Sequence, residues 1–99
     1  MLNRRMVLIT TRWCNPCKHL KKTLVPEVEA DCPGQIKVVD GEADPERHAL
    51  KYKITKVPTI LLFEGDDMVK MFSGIMPQAG LLVNWLKGGD LHGADGRDR

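Results

Sequence analysis

Residues 6–18 decide the fold: Met6-Val7-Leu8-Ile9-Thr10-Thr11-Arg12-Trp13-Cys14-Asn15-Pro16-Cys17-Lys18. The first five form a short, partly β-branched apolar run, the pattern of a strand covered on both faces. The chain then turns polar, and Pro16 fits the first turn of a helix, where its missing N–H is not needed. Beyond it Cys17, Leu20, Leu24 and Val28 recur at steps of three or four. That spacing gives one apolar helical stripe, with Lys18, Lys21 and Lys22 off it. Pro26 lies inside the pattern and should kink the helix or end its first segment. Pro33-Gly34 stops it.

Outward from there, Ile36 to Asp40 reads as a second strand, parallel to the first across the helical connection. Pro45 to about Tyr52 is a short helix with Asp44 as its N-cap. After Val57-Pro58 comes Thr59-Ile60-Leu61-Leu62-Phe63, the most apolar run of the chain. The turn signal Glu64-Gly65-Asp66-Asp67 pairs it with Met68 to Phe72 as an antiparallel hairpin. Gly74 breaks the chain, and Pro77 opens a last helix that should bury Leu81, Leu82, Trp85 and Leu86. Gly88-Gly89 ends it. The order is β-α-β-α-β-β-α: an α/β fold with a four-stranded mixed sheet flanked by helices. The expected domain is 1–87, followed by a polar, flexible tail over 88–99.

Ninety-nine residues, 42% of them apolar, make one globular domain rather than a disordered or fibrous chain. A net charge of +2 is too weak to argue for nucleic acid. No apolar run approaches the roughly 18 residues of a membrane span. The apolar stretch after Arg4-Arg5 is shorter than a secretory core and is soon followed by Arg12. The expectation is a cytoplasmic monomer that contacts neither membrane nor nucleic acid. Three cysteines, two of them as Cys14-Asn15-Pro16-Cys17, do not make a secreted disulfide scaffold.

Two cysteines three apart, the first just ahead of a helix, can bridge one turn. The first sulfur lies near unpaired backbone N–H groups at the positive end of the helix dipole, which lowers its pKa. Cys14 is therefore the nucleophile, and Cys17, one turn in, the buried resolving thiol. The same spacing also suits a zinc half-site, which Cys32 and His19 or His48 would have to complete. Cys32 has no close partner and His19 points toward the other side of the helix, so zinc is the lesser reading.

Trp13-Cys14-Asn15-Pro16-Cys17-Lys18 resembles the WCGPCK motif of thioredoxins, with Asn15 in place of the glycine. Lys56 to Phe63 is similar to that family's segment around its cis-proline, and Phe72-Ser73-Gly74 to its glycine before the last helix. The resemblance runs in register from Met6 to Leu86. It implies a thioredoxin-like fold, a cis bond between Val57 and Pro58, and reduction of protein disulfides with no cofactor beyond the Cys14–Cys17 couple. It also implies a substrate surface of Trp13, Asn15, Pro16, Val57, Pro58, Thr59 and Gly74. The implied partners are disulfide-containing proteins and a thioredoxin-reductase-type flavoprotein or glutathione.

Two departures mark this chain. The extra N-terminal strand and helix usual in thioredoxins are absent, a plan shared with glutaredoxins and ribonucleotide-reductase-dedicated redoxins. The family's buried aspartate, six residues ahead of the first cysteine, is Leu8 here. Glutaredoxins usually carry Cys-Pro-Tyr-Cys and glutathione-binding residues that are not found in this sequence. A non-catalytic scaffold would have no need of the CxxC pair.

Plainer readings fit the remaining residues. Cys32 is a bystander near a helix end, Trp85 is core, and His19 and His48 are solvated. Lys18, Lys21 and Lys22, with Lys51, Lys53 and Lys56, read as solvated charge or as two flanks of one site favouring acidic partners.

Overall fold

A computed structural model describes residues 3–91. Its elements are β1 (Arg4–Thr10), α1 (Asn15–Lys22), α2 (Leu24–Asp31), β2 (Ile36–Asp40), α3 (His48–Lys51), β3 (Thr59–Glu64), β4 (Asp67–Ser73) and α4 (Ala79–Leu86). The strands form one sheet in the order β2-β1-β3-β4. β1 runs parallel to β2 and antiparallel to β3, and β3 to β4 is the expected hairpin.

The period-two alternation of β1 explains why every residue from Met6 to Ile9 is buried. Met6 and Leu8 face α2 and α4, meeting Leu24, Val28, Leu82, Trp85 and Leu86. Val7 and Ile9 face the other way, onto a smaller cluster with Val39, Leu61 and Phe63. Arg4 and Gln35 close the far end of the sheet. The Arg4 guanidinium donates to the Trp85 and Gly89 carbonyls at 2.8 and 2.7 Å, and the Gln35 amide to the Arg4 and Leu86 carbonyls. The Gln35 amide thereby pairs the Leu86 carbonyl at the end of α4, while Arg4 adds a second donor to the Trp85 carbonyl, which already accepts from the Gly88 N–H. Gly89 is thereby tied to β1, and Leu91 packs half-buried on the core. The remainder of the expected tail, 92–99, lies outside the described residues.

Several local expectations are corrected. The helical break falls at Thr23 rather than at Pro26 itself. Proline has no N–H for the Lys22 carbonyl and its ring crowds that group, so the chain breaks ahead of it and Pro26 sits in the first turn of α2. The helix expected from Pro45 begins only at His48, because Arg47 takes a left-handed conformation at φ 55°, so Arg47 and not Asp44 stands at its N-cap. Pro77 precedes α4, whose N-cap is Gln78, and Leu81 is half-buried rather than core.

His48, expected in solvent, is 5% exposed. Its ring Nδ1 lies 2.7 Å from Asp44 Oδ2, and its faces meet Tyr52 and Phe63. Asp44 also accepts from the backbone N–H groups of Glu46 and His48. Burial alone would raise the Asp44 carboxyl, but these hydrogen bonds and the His48 charge outweigh it and hold the carboxyl below its ordinary value. Asp44→Ala should therefore cost about 2 kcal/mol at pH 7, by loss of the acceptor for the Glu46 and His48 N–H groups and of the buried ring's partner. A lowered carboxyl stabilises above its unfolded pKa, near about 3.9, and that share is lost as pH falls through the folded value. Urea unfolding of both proteins at pH 7 and at acid pH should show the gap narrowing on acidification.

Candidate functional site

Strand register gathers the predicted residues at one end of the sheet. β1 ends at Thr10, directly ahead of the Trp13–Cys17 turn, and its Ile9 pairs with Thr59, the first residue of β3. Thr59 in turn pairs with Ser73, the last residue of β4. Residues 13–17, 57–59 and 74 are thereby drawn together from three distant parts of the sequence. Crevices beyond the carboxyl ends of strands in α/β sheets are where ligands bind.

Cys14 is the N-cap of α1, with extended backbone, and Asn15 and Pro16 form the first turn. The Cys14 N–H donates to the Thr11 carbonyl, and its own carbonyl accepts from the Lys18 N–H. A disulfide joins Cys14 to Cys17 with the Cα atoms 5.2 Å apart. The Cys17 N–H donates to Cys14 Sγ at 3.1 Å, so the helix end supplies the polar contact that a thiolate would accept. The two sulfurs differ in access: Cys14 is partly exposed and Cys17 wholly buried. Trp13 is 77% exposed beside them, with Asn15 and Pro16 also at the surface.

The Val57–Pro58 peptide bond is cis, as expected. Pro58 and Thr59 are buried, and the Thr59 hydroxyl donates to the Lys56 carbonyl at 2.6 Å, fixing the loop before the strand. Gly74 has φ 87°, a conformation that favours glycine, and sends the chain out of β4.

Some features escaped the sequence reading. Ile75, 88% exposed just past Gly74, is a large apolar side chain at the same end of the sheet. Its exposure depends on the turn at Gly74, which no periodicity reveals. A recess of about 220 Å³ opens between Thr11, Gly41, Ala49, Ile54 and Val57. It is assembled from four separate segments. A Cβ at Gly41 would come within 3.1 Å of the Ile9 side chain, a tight contact that Ile9 would have to yield to.

Cys32 and His48, two of the residues a zinc site would draw on, are engaged elsewhere, and His19 is exposed on α1. Cys32 is buried in the core with Sγ 3.9 Å from the Val83 carbonyl, and His48 is bonded to Asp44. Burial pushes the Cys32 thiol up, away from the reactive thiolate. Among the described residues, the three-ligand cluster of metal-binding types is Asp44-Glu46-His48, which contains neither Cys14 nor Cys17. Leu8, at the position of the family's aspartate, is wholly buried in an apolar cluster whose one titratable member is Cys32.

The sequence profile of the thioredoxin family matches residues 2–87. The chain belongs to the thioredoxin family. It is 34% identical over 71 residues to a thioredoxin of Streptomyces clavuligerus, a match covering 71% of this chain and 64% of that protein. It is 33% identical over 72 residues to a bifunctional thioredoxin reductase/thioredoxin of Mycobacterium leprae, covering 71% of this chain and 15% of that protein. The fold superimposes on the thioredoxin of Fasciola hepatica with a TM-score of 0.69 at 24% identity, covering 88% of this chain and 81% of the other. The chain thus spans a little under two thirds of the length of the Streptomyces thioredoxin. Like the thioredoxin fold around it, the Cys14–Cys17 pair stands where the sequence resemblance placed it. Among the described residues, no helix is long and apolar enough to cross a membrane.

Proposed function

We propose that this chain is a thiol–disulfide oxidoreductase that reduces protein disulfides. The observation that carries the reading is the pairing of a solvent-reachable Cys14, at a helix N-cap, with a wholly buried Cys17. In the reduced protein, the Cys14 thiolate attacks a substrate sulfur. A Cys14–substrate disulfide forms as the substrate's own bond breaks, and the first substrate thiolate leaves. Cys17 then loses its proton and attacks Cys14, forming the intramolecular disulfide and releasing the second substrate thiolate. Two electrons pass to the substrate, and both cysteines end oxidised. With Leu8 replacing the family's aspartate, the Cys17 proton goes to water or to another group.

Trp13, Asn15, Pro16, Val57, Pro58, Thr59 and Gly74 form the surface that receives the substrate strand, with Val57 offering backbone hydrogen bonds. The protein works as a cytoplasmic monomer without metal or organic cofactor, the domain spanning 1–87. Its electron donor is a thioredoxin-reductase-type flavoprotein. The name of the Mycobacterium leprae relative, a reductase joined to a thioredoxin, supports that choice.

Recycling tests this reading. The oxidised protein should regain its thiols from NADPH and such a flavoprotein at least about tenfold faster than from glutathione at matched potential. The reverse order would assign it to the glutaredoxin-like redoxins.

A further inference from the structure

No carboxylate occurs from Met1 to Pro26, a stretch that holds Arg4, Arg5, Arg12, Lys18, Lys21 and Lys22. Arg4 is engaged with Glu64 and the end of α4, and Arg5 lies over the Phe63 ring. The other four are exposed, and among the described residues none has a carboxylate within ion-pair distance. The C-terminal end of α1 accounts for one basic residue there by the helix dipole. It does not account for a run of 26 residues, Cys14 and α1 among them, that carries six Arg and Lys side chains and no acid.

The placement adds a direction. Lys18, Lys21 and Lys22 follow Cys14 at offsets of four, seven and eight residues, the offsets of one helical face. At about 1.5 Å per residue they form a track reaching about 10–12 Å from the nucleophile. Lys56, exposed beside Val57, adds a cation on the cis-proline side, at the mouth of a recess that Glu42 also lines. Acidic side chains resume only with Glu27, beyond the break at Thr23.

We propose that the lysine face of α1 docks an acidic segment of the substrate protein, lying within a few residues of the disulfide that Cys14 attacks. This names a substrate class for the oxidoreductase reading and rests on it. Clustered charge of one sign beside a reaction centre raises encounter rates about 10- to 1,000-fold, an effect that falls steeply with salt.

The test uses three disulfide-bearing peptides of equal length, flanked by glutamates, by lysines or by serines, and the reduced full-length protein. At low ionic strength the acidic peptide should be reduced, with release of its thiols, at least about tenfold faster than the basic one. The ratio should shrink toward one as salt rises past about 0.15 M, where the screening length is about 8 Å. Lys21→Glu with Lys22→Glu should invert the ratio, and the two glutamine changes should bring it near one. Equal rates for all three peptides with the parent protein would overturn the docking proposal while leaving the redox reading intact. Should none of the peptides react, the redox reading fails by itself. Binding of the acidic peptide to the oxidised protein, followed by tryptophan fluorescence, then decides docking: loss on charge reversal upholds it and indifference overturns it. Tighter binding of poly(U) than of poly-glutamate would also overturn it, in favour of a nucleic acid.

Discussion

Replacing Cys14 by serine should lower turnover of a protein disulfide at least about 1,000-fold, whereas Cys17→Ser should complete the first half-reaction and stop. A serine hydroxyl is not ionised near neutral pH, so the attacking group is lost outright. In Cys17→Ser the exposed sulfur and its N-cap contacts remain, but the mixed disulfide has no internal thiol to resolve it. Neither change should unfold the protein: serine is close in size to cysteine, Cys14 is partly exposed, and at the wholly buried Cys17 one hydroxyl costs about 1–3 kcal/mol. The pair is checked by steady-state reduction of insulin and by single-turnover thiol release from the same preparations. Equal single-turnover thiol release from the two variants would contradict the assigned division of labour.

The second large effect concerns stability. Leu8→Asp, which introduces the residue that the family usually carries, should destabilise this protein by about 4 kcal/mol at pH 7. Leu8 is wholly buried between its partners Val38 and Ile60, in a cluster of apolar side chains that offers no charged partner for a carboxylate. The loss combines the packing of a buried leucine with desolvation of an unpaired polar group. It is a large share of the roughly 5–15 kcal/mol that a domain of this size possesses. Burial raises the new carboxyl's pKa, so the penalty grows as pH climbs above the unfolded value near about 3.9 and is least in acid. Urea midpoints should thus converge with the parent's as pH falls, whereas Leu8→Asn should be destabilised about equally at both pH values. A loss below about 1 kcal/mol at pH 7 would mean that the site holds water or a partner that the apolar cluster does not reveal.

Much of this was legible in the sequence because it rests on local rules. The unbroken apolar runs Met6–Thr10 and Thr59–Phe63 could only be central strands, and they became β1 and β3. Gly65 between two apolar runs could only be a hairpin turn, and its φ of 63° is the reason. The Cys14-Asn15-Pro16-Cys17 stretch announced both its helix start and its disulfide.

What was not legible depends on contacts between distant segments. His48 reads as one more polar residue in a charged stretch. Its burial follows from Asp44 accepting its backbone N–H and from Phe63 and Tyr52 closing over the ring. The start of α3 hinges on Arg47, whose left-handed backbone has no signal in its residue type. The recess beside Val57 and the exposure of Ile75 exist only once the strand ends are in register. Charge was half legible: the lysines were visible in order, but only α1 showed that they line up behind Cys14.

The central claim, that Cys14 attacks and Cys17 resolves, is tested most directly by trapping. Cys17→Ser, reduced and mixed with a disulfide-bearing peptide, is quenched in acid and weighed intact by mass spectrometry. The account predicts one peptide per protein, attached at Cys14, released by dithiothreitol, and absent from the parent protein and from Cys14→Ser. An adduct on Cys32, or no adduct while Cys14→Ser still traps the peptide through Cys17, would contradict it.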